Sequence, residues 1–189
     1  SQYGFFRFRQ QAALMGARII EVPMADWTHD LETMGKTASL RTKIVFVANP
    51  NTPTGTYNTE AEVAELLAIV PASTLVVLDE AYHHFAGGLP GFPSTVPGLL
   101  SRHPNLVVIR TFSKAYGLAG LRVGYGLADA ELVGWLDRIR MPFNVNLPAQ
   151  RACIEALKDA AFVKRSVALA AKGRESLGRE IRAMGMEVL

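Results

Sequence analysis

The sequence predicts an α/β fold, in which a mostly parallel central sheet is covered by helices on both faces. Short, continuous apolar runs recur along the 189 residues, and runs without polar alternation are typical of strands buried on both sides. Segments with apolar residues at helical spacing separate these runs, as crossover helices do in parallel sheets. Hydrophobic residues make up 49% of the chain, which fits a well-buried globular core.

Helix and strand signals alternate through the first half of the chain. Gly16 and Pro23 each follow an apolar segment and are suited to end it. Asn58 or Thr59 can cap a helix whose first turn is acidic. These signals predict a helix at residues 3–15, strands at 17–22, 43–48 and 74–78, and a helix at 58–70, whereas residues 24–42 are polar and mixed and predict no defined element.

The second half continues the alternation after a long irregular segment. Residues 85–97 are rich in glycine and proline, which predicts a loop. Asp129 can cap a helix, and a long helical pattern is interrupted near Lys158 and Asp159. The predicted elements are the end of a helix at 99–103, strands at 106–109 and 121–127, and helices at 129–140 and 149–184.

Composition argues against several classes of protein. The net charge is +3 and the positive charges are spread along the chain, so no nucleic-acid partner is indicated. No apolar stretch approaches the length of about 18 residues that a membrane span needs. The single cysteine, Cys153, predicts neither an intrachain disulfide nor a cysteine metal cluster and suits a reducing compartment. The chain does not begin with Met and stops as an apolar run starts, so we expect both ends to lie within a longer polypeptide.

Residues of unusual chemistry follow three of the predicted strands. The sequence NPNTPTG, residues 49–55, follows one strand, Asp79 and Tyr82 follow another, and Lys114 follows a third within a loop rich in glycine. Open α/β sheets bind ligands beyond the carboxyl ends of their strands. We therefore expect these residues to share one site.

Each of these residues also has a plain structural interpretation. Asp79 is either a turn or cap residue, or a carboxylate held in a partly dry site to pair with a cation on a ligand. Tyr82 is either a packing residue or a phenol offered to the same ligand. His83 and His84 are adjacent and point in different directions, which favours packing or surface roles over metal binding. The basic loop around Lys114 is a surface turn in the structural interpretation.

One cofactor needs all of these groups together. Pyridoxal phosphate requires a lysine amine for a Schiff base with its aldehyde, and an acidic partner for its pyridinium nitrogen. It also requires donors for its ring hydroxyl, an aromatic face against its ring, and a cationic cradle rich in hydroxyls for its phosphate. The residues suited to these roles are Lys114, Asp79, Tyr82, Tyr3, and the set Thr111, Ser113 and Arg122.

The sequence resembles the fold-type I aminotransferases that use pyridoxal phosphate, and among them the histidinol-phosphate aminotransferase group. The ordered signatures that carry this resemblance are Tyr3-Gly4, the NPNTPTG segment, Asp79-Glu80-Ala81-Tyr82, Ser113-Lys114, the GLAGLR segment at 117–122 with Gly124-Tyr125, and the MPFNVN segment at 141–146.

The resemblance implies a role for each residue. Lys114 would carry the cofactor and shuttle the proton, Asp79 would pair with the ring nitrogen, and Tyr82 would donate to the ring hydroxyl. Tyr3 would stack on the ring, and Thr111, Ser113 and Arg122 would hold the phosphate. The implied reaction transfers an amino group from glutamate to an imidazole keto-phosphate in histidine biosynthesis, in a cytoplasmic homodimer.

Two departures from the family pattern matter. The family commonly has Asn directly before Pro-Thr-Gly, where it binds the ring hydroxyl, whereas this chain has Thr52 there, preceded by Asn51. Either side chain could serve, and the sequence does not decide between them. Family segments are also missing at both ends, so we expect residues 1–184 to form the central part of the large, cofactor-binding domain and residues 185–189 to begin a C-terminal small domain. We expect such a fragment to be inactive by itself.

Other functions share these residues. An aromatic amino acid aminotransferase or a threonine-phosphate-type decarboxylase of the same fold would keep Lys114, Asp79 and Tyr82. A non-catalytic cofactor-binding module would bind pyridoxal phosphate without amino transfer, and an inert fragment would bind nothing.

Overall fold

The computed structural model describes all 189 residues, which form seven α-helices, a four-stranded sheet and a two-stranded hairpin. The helices are α1 (Phe6–Leu14), α2 (Leu31–Thr37), α3 (Glu60–Ile69), α4 (His83–Ala86), α5 (Ala130–Ile139), α6 (Leu147–Lys158) and α7 (Ala160–Ala183). The strands are β1 (Met24–Ala25), β2 (Thr28–His29), β3 (Ile44–Ala48), β4 (Leu75–Asp79), β5 (Leu106–Thr111) and β6 (Gly124–Leu127). None of the helices is both long enough and apolar enough to cross a membrane.

The main sheet has the order β3-β4-β5-β6, with the first three strands parallel and β6 antiparallel to β5. Ala48 lies opposite Asp79, and Asp79 lies opposite Ile109. The carboxyl ends of β3, β4 and β5 therefore meet at one edge of the sheet, and β6 starts from that edge. The α/β fold with a mostly parallel sheet is confirmed.

Helices cover the sheet because its strands are apolar on both sides. Val47, Val76, Leu78 and Val108 are fully buried and pack into one cluster with α2 and α3. Because side chains alternate along a strand, Phe46 of β3 points to the opposite face. There its ring stacks on Phe8 of α1, with the ring centroids 4.7 Å apart.

Capping side chains set the starts of two helices as predicted, and a predicted break separates two others. Thr59, one of the two candidates, forms a reciprocal capping box with Glu62 at the start of α3. The Asp129 carboxylate accepts the N–H of Glu131 and starts α5. Asp159 separates α6 from α7, which confirms the break in the long helical pattern.

Several predicted boundaries were wrong. Residues 17–22 lie in no strand, because no strand of the sheet lies beside them, and only Val22 among them is buried. The hairpin β1–β2 and helix α2 occupy a segment for which no element was predicted. Within residues 85–97 a kinked turn begins at Thr95 (Thr95–Leu99), in which Val96 is extended, so the loop ends earlier than predicted.

The last strand is shorter than predicted because a 3₁₀ turn, Ala119–Leu121, occupies its expected start. Gly124 pairs with Thr111, and a Cβ there would lie 2.8 Å from the carbonyl oxygen of Arg110, so glycine permits this pairing. After α7, Met186 and the residues that follow form no helix or strand. A domain boundary near residue 185 stays a prediction.

Candidate active site

The structure brings the three predicted segments together at the carboxyl edge of the sheet. Asp79 is the last residue of β4, and Thr111 is the last residue of the neighbouring strand β5. The segment 49–55 directly follows β3, where the N–H of Asn49 donates to the carbonyl oxygen of Asp79 at 2.8 Å. Lys114 lies three residues beyond the end of β5. The parallel register therefore places the predicted site residues on adjoining loops.

Backbone bonds hold the Lys114 loop in a tight turn. Gly117 donates its N–H to the Lys114 carbonyl at 2.9 Å, and Leu118 donates to the Phe112 carbonyl at 3.0 Å. Gly117 has φ of +70°, and the Phe162 ring lies 3.3 Å from the position a Cβ would take, so a side chain there would be strained and crowded. Phe112 and Ala115 are buried and anchor the turn, which leaves Lys114 exposed.

The Lys114 amine is free of ion pairs. Its Nζ lies 4.9 Å from the centroid of the Tyr82 ring, in cation–π geometry. No carboxylate lies within ion-pairing distance of Nζ, although the chain contains six such pairs elsewhere. The structure therefore presents an amine against an aromatic ring, available to react.

Asp79 is a partly buried carboxyl on the same edge. Burial raises the pKa of the Asp79 carboxyl, and the neighbouring Glu80 carboxylate adds to that rise. The Ala81 N–H, which donates to Oδ1 at 3.0 Å, and the Lys114 ammonium both oppose it. A cationic group placed against Asp79 would favour its ionised form.

Tyr3 was predicted to stack on the cofactor ring and Tyr82 to donate its phenol to the ring hydroxyl; both rings lie against neighbouring side chains, and these two roles stay predictions. Tyr82 is half-buried beside Lys114. The Tyr3 ring packs against Trp27, with centroids 5.6 Å apart and the planes tilted by 43°. The carbonyl oxygen of Tyr3 accepts a hydrogen bond from Asn51 Nδ2 at 3.0 Å, which ties Tyr3 to the loop after β3.

The choice between Asn51 and Thr52 follows from their surroundings. Asn51 is 3% exposed, and its amide donates to the Tyr3 carbonyl and to Thr54 Oγ1, so both of its N–H bonds are used inside the loop. Thr52 keeps a partly exposed side chain. The Asn49–Pro50 and Thr52–Pro53 peptide bonds are both cis. Thr52 is therefore the better candidate for a ligand contact, and that role stays a prediction.

The three residues predicted to hold a phosphate lie close in the chain but are partly engaged with the backbone. Thr111 Oγ1 accepts the Ser113 N–H at 3.0 Å and donates to the Val123 carbonyl at 3.3 Å. Arg122 adopts a left-handed backbone conformation, with φ of +56°, and its Nη1 donates to the Ala119 carbonyl at 2.7 Å. Both side chains would have to exchange these bonds for a phosphate.

A buried ion pair behind the site was not predicted. Glu80, next to Asp79, is 1% exposed and accepts two hydrogen bonds at Oε2 from Arg110, from Nε at 2.9 Å and from Nη2 at 2.7 Å. Arg110 comes from the neighbouring strand β5. The available signal was that oppositely charged residues end two adjacent apolar runs. The pair joins Arg110 of β5 to the residue that directly follows Asp79 at the end of β4.

These surroundings fit a cofactor with an aldehyde and a basic ring nitrogen. The exposed Lys114 amine suits an aldehyde, and the partly buried Asp79 carboxyl suits a protonated ring nitrogen. The Tyr82 ring lies against the amine. The donor set is therefore compatible with pyridoxal phosphate, with the phosphate cradle the least assembled part.

Comparison with known sequences places the chain among transaminases. All of residues 1–189 match the family described as aminotransferase class I and II. The chain is 46% identical over 187 residues to histidinol-phosphate aminotransferase 2 of Ralstonia nicotianae, which covers 99% of this chain and 50% of that protein. It is 47% identical over 190 residues to histidinol-phosphate aminotransferase of an Anaeromyxobacter species, covering 100% of this chain and 52% of that protein.

Comparison with solved structures gives the same result. The crystal structure of histidinol-phosphate aminotransferase from Sinorhizobium meliloti, in complex with pyridoxal 5'-phosphate, superposes with a TM-score of 0.89 at 34% sequence identity. The match covers 98% of this chain and 50% of that one. The chain thus spans about half the length of the curated relatives and of the structure it matches.

Proposed function

The chain belongs to the class I and II aminotransferases, and from this premise we propose that its protein transfers amino groups with pyridoxal phosphate as cofactor. The observation that carries this proposal is the unpaired Lys114 amine, 4.9 Å from the Tyr82 ring centroid and on the same sheet edge as the partly buried Asp79. The names of the relatives support assignment to the histidinol-phosphate aminotransferase group, and the chemistry of these side chains supports pyridoxal phosphate as the cofactor.

Each side chain has a defined task in this proposal. When bound, pyridoxal phosphate supplies a protonated ring that draws electrons from the substrate's amino carbon. Lys114 Nζ would hold the cofactor through its aldehyde carbon, with loss of the aldehyde oxygen as water, and would take up and return the substrate proton once released. The Asp79 carboxylate accepts a hydrogen bond from the ring nitrogen and keeps it protonated.

The remaining residues orient the cofactor. Tyr82 and Thr52 donate hydrogen bonds from their hydroxyls to the oxygen of the ring hydroxyl, and Tyr3 lies against the ring face. Ser113, Thr111 and Arg122 bind the phosphate with two hydroxyls and one guanidinium, after Arg122 leaves the Ala119 carbonyl.

The substrate and assembly follow from the relatives. We take glutamate as amino donor and an imidazole keto-phosphate as acceptor, because the two relatives described share 46% and 47% identity with this chain and are named histidinol-phosphate aminotransferases. We also propose a homodimer in the cytoplasm, with residues 1–184 as part of its large domain, as the family resemblance of the sequence implies.

Borohydride reduction of the full-length protein with pyridoxal phosphate, followed by peptide mapping, tests the cofactor site. We expect label on Lys114 alone, because no other lysine lies at the carboxyl edge beside Asp79 and Tyr82. Label scattered over several lysines, or retained amino transfer in Lys114→Ala, would contradict the proposal. A specific label without transfer from any amino donor would indicate a non-catalytic module instead, and turnover restricted to aromatic keto acids would refute the substrate.

A further inference from the structure

The turn between β1 and β2 places a tryptophan where glycine is normally found. Two residues, Asp26 and Trp27, join the strands, with φ of +45° and +61°. Two-residue hairpins with positive φ at both positions favour Asn or Asp followed by Gly, because a Cβ is crowded in this conformation. Asp26 fits that preference and Trp27 does not.

Burial within this chain does not explain why a tryptophan occupies a position with positive φ. Trp27 is 48% exposed, and it is absent from the cluster of buried residues that forms the core. Its ring is instead directed at the Tyr3 ring, with centroids 5.6 Å apart. A strained conformation that persists outside the core points to a local function.

A chain of hydrogen bonds fixes the two aromatic residues to the same loop. Asn51 Nδ2 donates to the Tyr3 carbonyl at 3.0 Å and to Thr54 Oγ1 at 2.8 Å. Thr54 Oγ1 lies 2.8 Å from Thr56 Oγ1, which donates to the Trp27 carbonyl at 2.7 Å. The backbones of Tyr3 and Trp27 are thus held by one network within the segment that follows β3.

Burial and two backbone hydrogen bonds also hold Asn51 in this network. It is 3% exposed, its N–H donates to the Thr56 carbonyl at 2.8 Å, and its carbonyl accepts from Gly55 at 3.0 Å. The backbones that carry the Tyr3 and Trp27 rings are therefore both tied to the loop that also carries Thr52.

We propose that Trp27 is a positioning residue, which fixes the angle of the Tyr3 ring so that its outer face meets the cofactor ring. This inference rests on the proposed function, because Tyr3 contacts a cofactor only in that proposal. Tyr3 is 47% exposed, so without Trp27 its ring would be free to rotate away from the site. Glycine or asparagine at this position would adopt the positive φ with less strain, but neither would offer a ring to Tyr3.

Two substitutions separate this role from a structural one. Trp27→Gly removes the ring and relieves the backbone, whereas Trp27→Phe keeps a ring in the same strained turn. The full-length protein and both variants are titrated with pyridoxal phosphate by absorbance, and the induced circular dichroism of the bound cofactor is recorded. Urea unfolding of the cofactor-free proteins tests whether glycine in the turn leaves the free energy of unfolding unchanged. Trp135→Phe, on α5, is the control for loss of a half-exposed tryptophan elsewhere.

We expect Trp27→Gly to weaken cofactor binding about three- to tenfold, as loss of one aromatic pair implies, and to change the induced circular dichroism. Trp27→Phe and Trp135→Phe should keep the wild-type signal. In a Tyr3→Leu background, Trp27→Gly should cause no further change, because Trp27 acts through Tyr3.

Three outcomes would overturn the inference. Trp27→Gly could bind the cofactor as tightly as the wild type with an unchanged spectrum, while Lys114 labelling stays intact; the proposed function would then stand without the role for Trp27. Trp27→Phe could be as weak as Trp27→Gly, which would show that the ring is not what matters. A wild-type protein that captures no cofactor would refute the proposed function and this inference together.

Discussion

The buried ion pair between Glu80 and Arg110 allows a quantitative test of how the site is held. Glu80 is 1% exposed, and both hydrogen bonds to its carboxylate come from Arg110, at 2.9 and 2.7 Å to one oxygen. The substitution Arg110→Met removes the guanidinium and keeps an aliphatic stem of similar length. It leaves the Glu80 carboxylate buried without its charge partner, in the segment that also carries Asp79.

The expected loss is large for a single substitution. Removing one partner of a buried, hydrogen-bonded ion pair costs about 3–5 kcal/mol, because the remaining charge has lost its compensation. Domains have unfolding free energies of about 5–15 kcal/mol, so this loss is a substantial fraction of the total.

Urea unfolding of the full-length protein, followed by circular dichroism, measures this loss. The matched control is Arg140→Met, which removes a guanidinium that also lies 2.9 Å from a carboxylate, Asp137, but in a pair that is more than half exposed on both sides. An exposed pair contributes about 0–1 kcal/mol. The double variant Glu80→Leu with Arg110→Met should recover most of the loss, because apolar side chains of similar volume replace a buried pair at little cost.

Two results would refute this reasoning. A loss in Arg110→Met no larger than in Arg140→Met would show that water reaches Glu80. A double variant as unstable as Arg110→Met would show that the packing of the arginine stem matters, and the charge pairing does not.

Two further predictions follow from the titrating groups. Burial raises the pKa of Asp79, so its ionised form is unfavourable in the cofactor-free protein. Asp79→Asn should therefore leave the free energy of unfolding unchanged or higher at neutral pH, and it should strongly slow amino transfer. Turnover at the wild-type rate would contradict the role of Asp79. Burial lowers the pKa of His29, His83 and His84 from 6.5 to about 4. As the pH falls, these imidazoles take up protons in the unfolded chain before they do so in the folded protein. The stability that they contribute above pH 6.5 should therefore be lost as the pH falls towards 4. Titration of the ring protons by NMR checks this, and a midpoint near 6.5 for His83 would contradict it.

The strands and helix caps could be predicted because their signals are local. The uninterrupted apolar runs of β3, β4 and β5 indicate burial on both faces, and Thr59 and Asp129 act within one turn of their own helices. The strand expected at 17–22 was wrong because a strand also needs a neighbour, and the pattern of one segment carries no information about its partner.

The site was predictable where its chemistry is unusual. A lysine among glycines and an aspartate after a valine-rich strand are both exceptional for a core, and both lie at the carboxyl edge of the sheet. Trp27 and Arg110 were missed because their roles depend on contacts between distant segments. Trp27 is 24 positions from Tyr3, and Arg110 is 30 positions from Glu80.

Lys114 and Asp79 are oppositely charged, lie on the same edge of the sheet, and form no ion pair with each other. The ammonium lowers the pKa of Asp79, but burial outweighs this effect and the pKa is raised. An apolar residue would avoid the cost of a partly buried carboxyl that has no ion-pair partner, whereas the neighbouring Glu80 has Arg110 as its partner. A molecule that carries an electrophile for the amine at one end and a cation for the carboxylate at the other satisfies both residues at once. The partly buried Asp79 carboxyl without an ion-pair partner, whose ionised form is unfavourable in the protein alone, is therefore what the proposed chemistry requires.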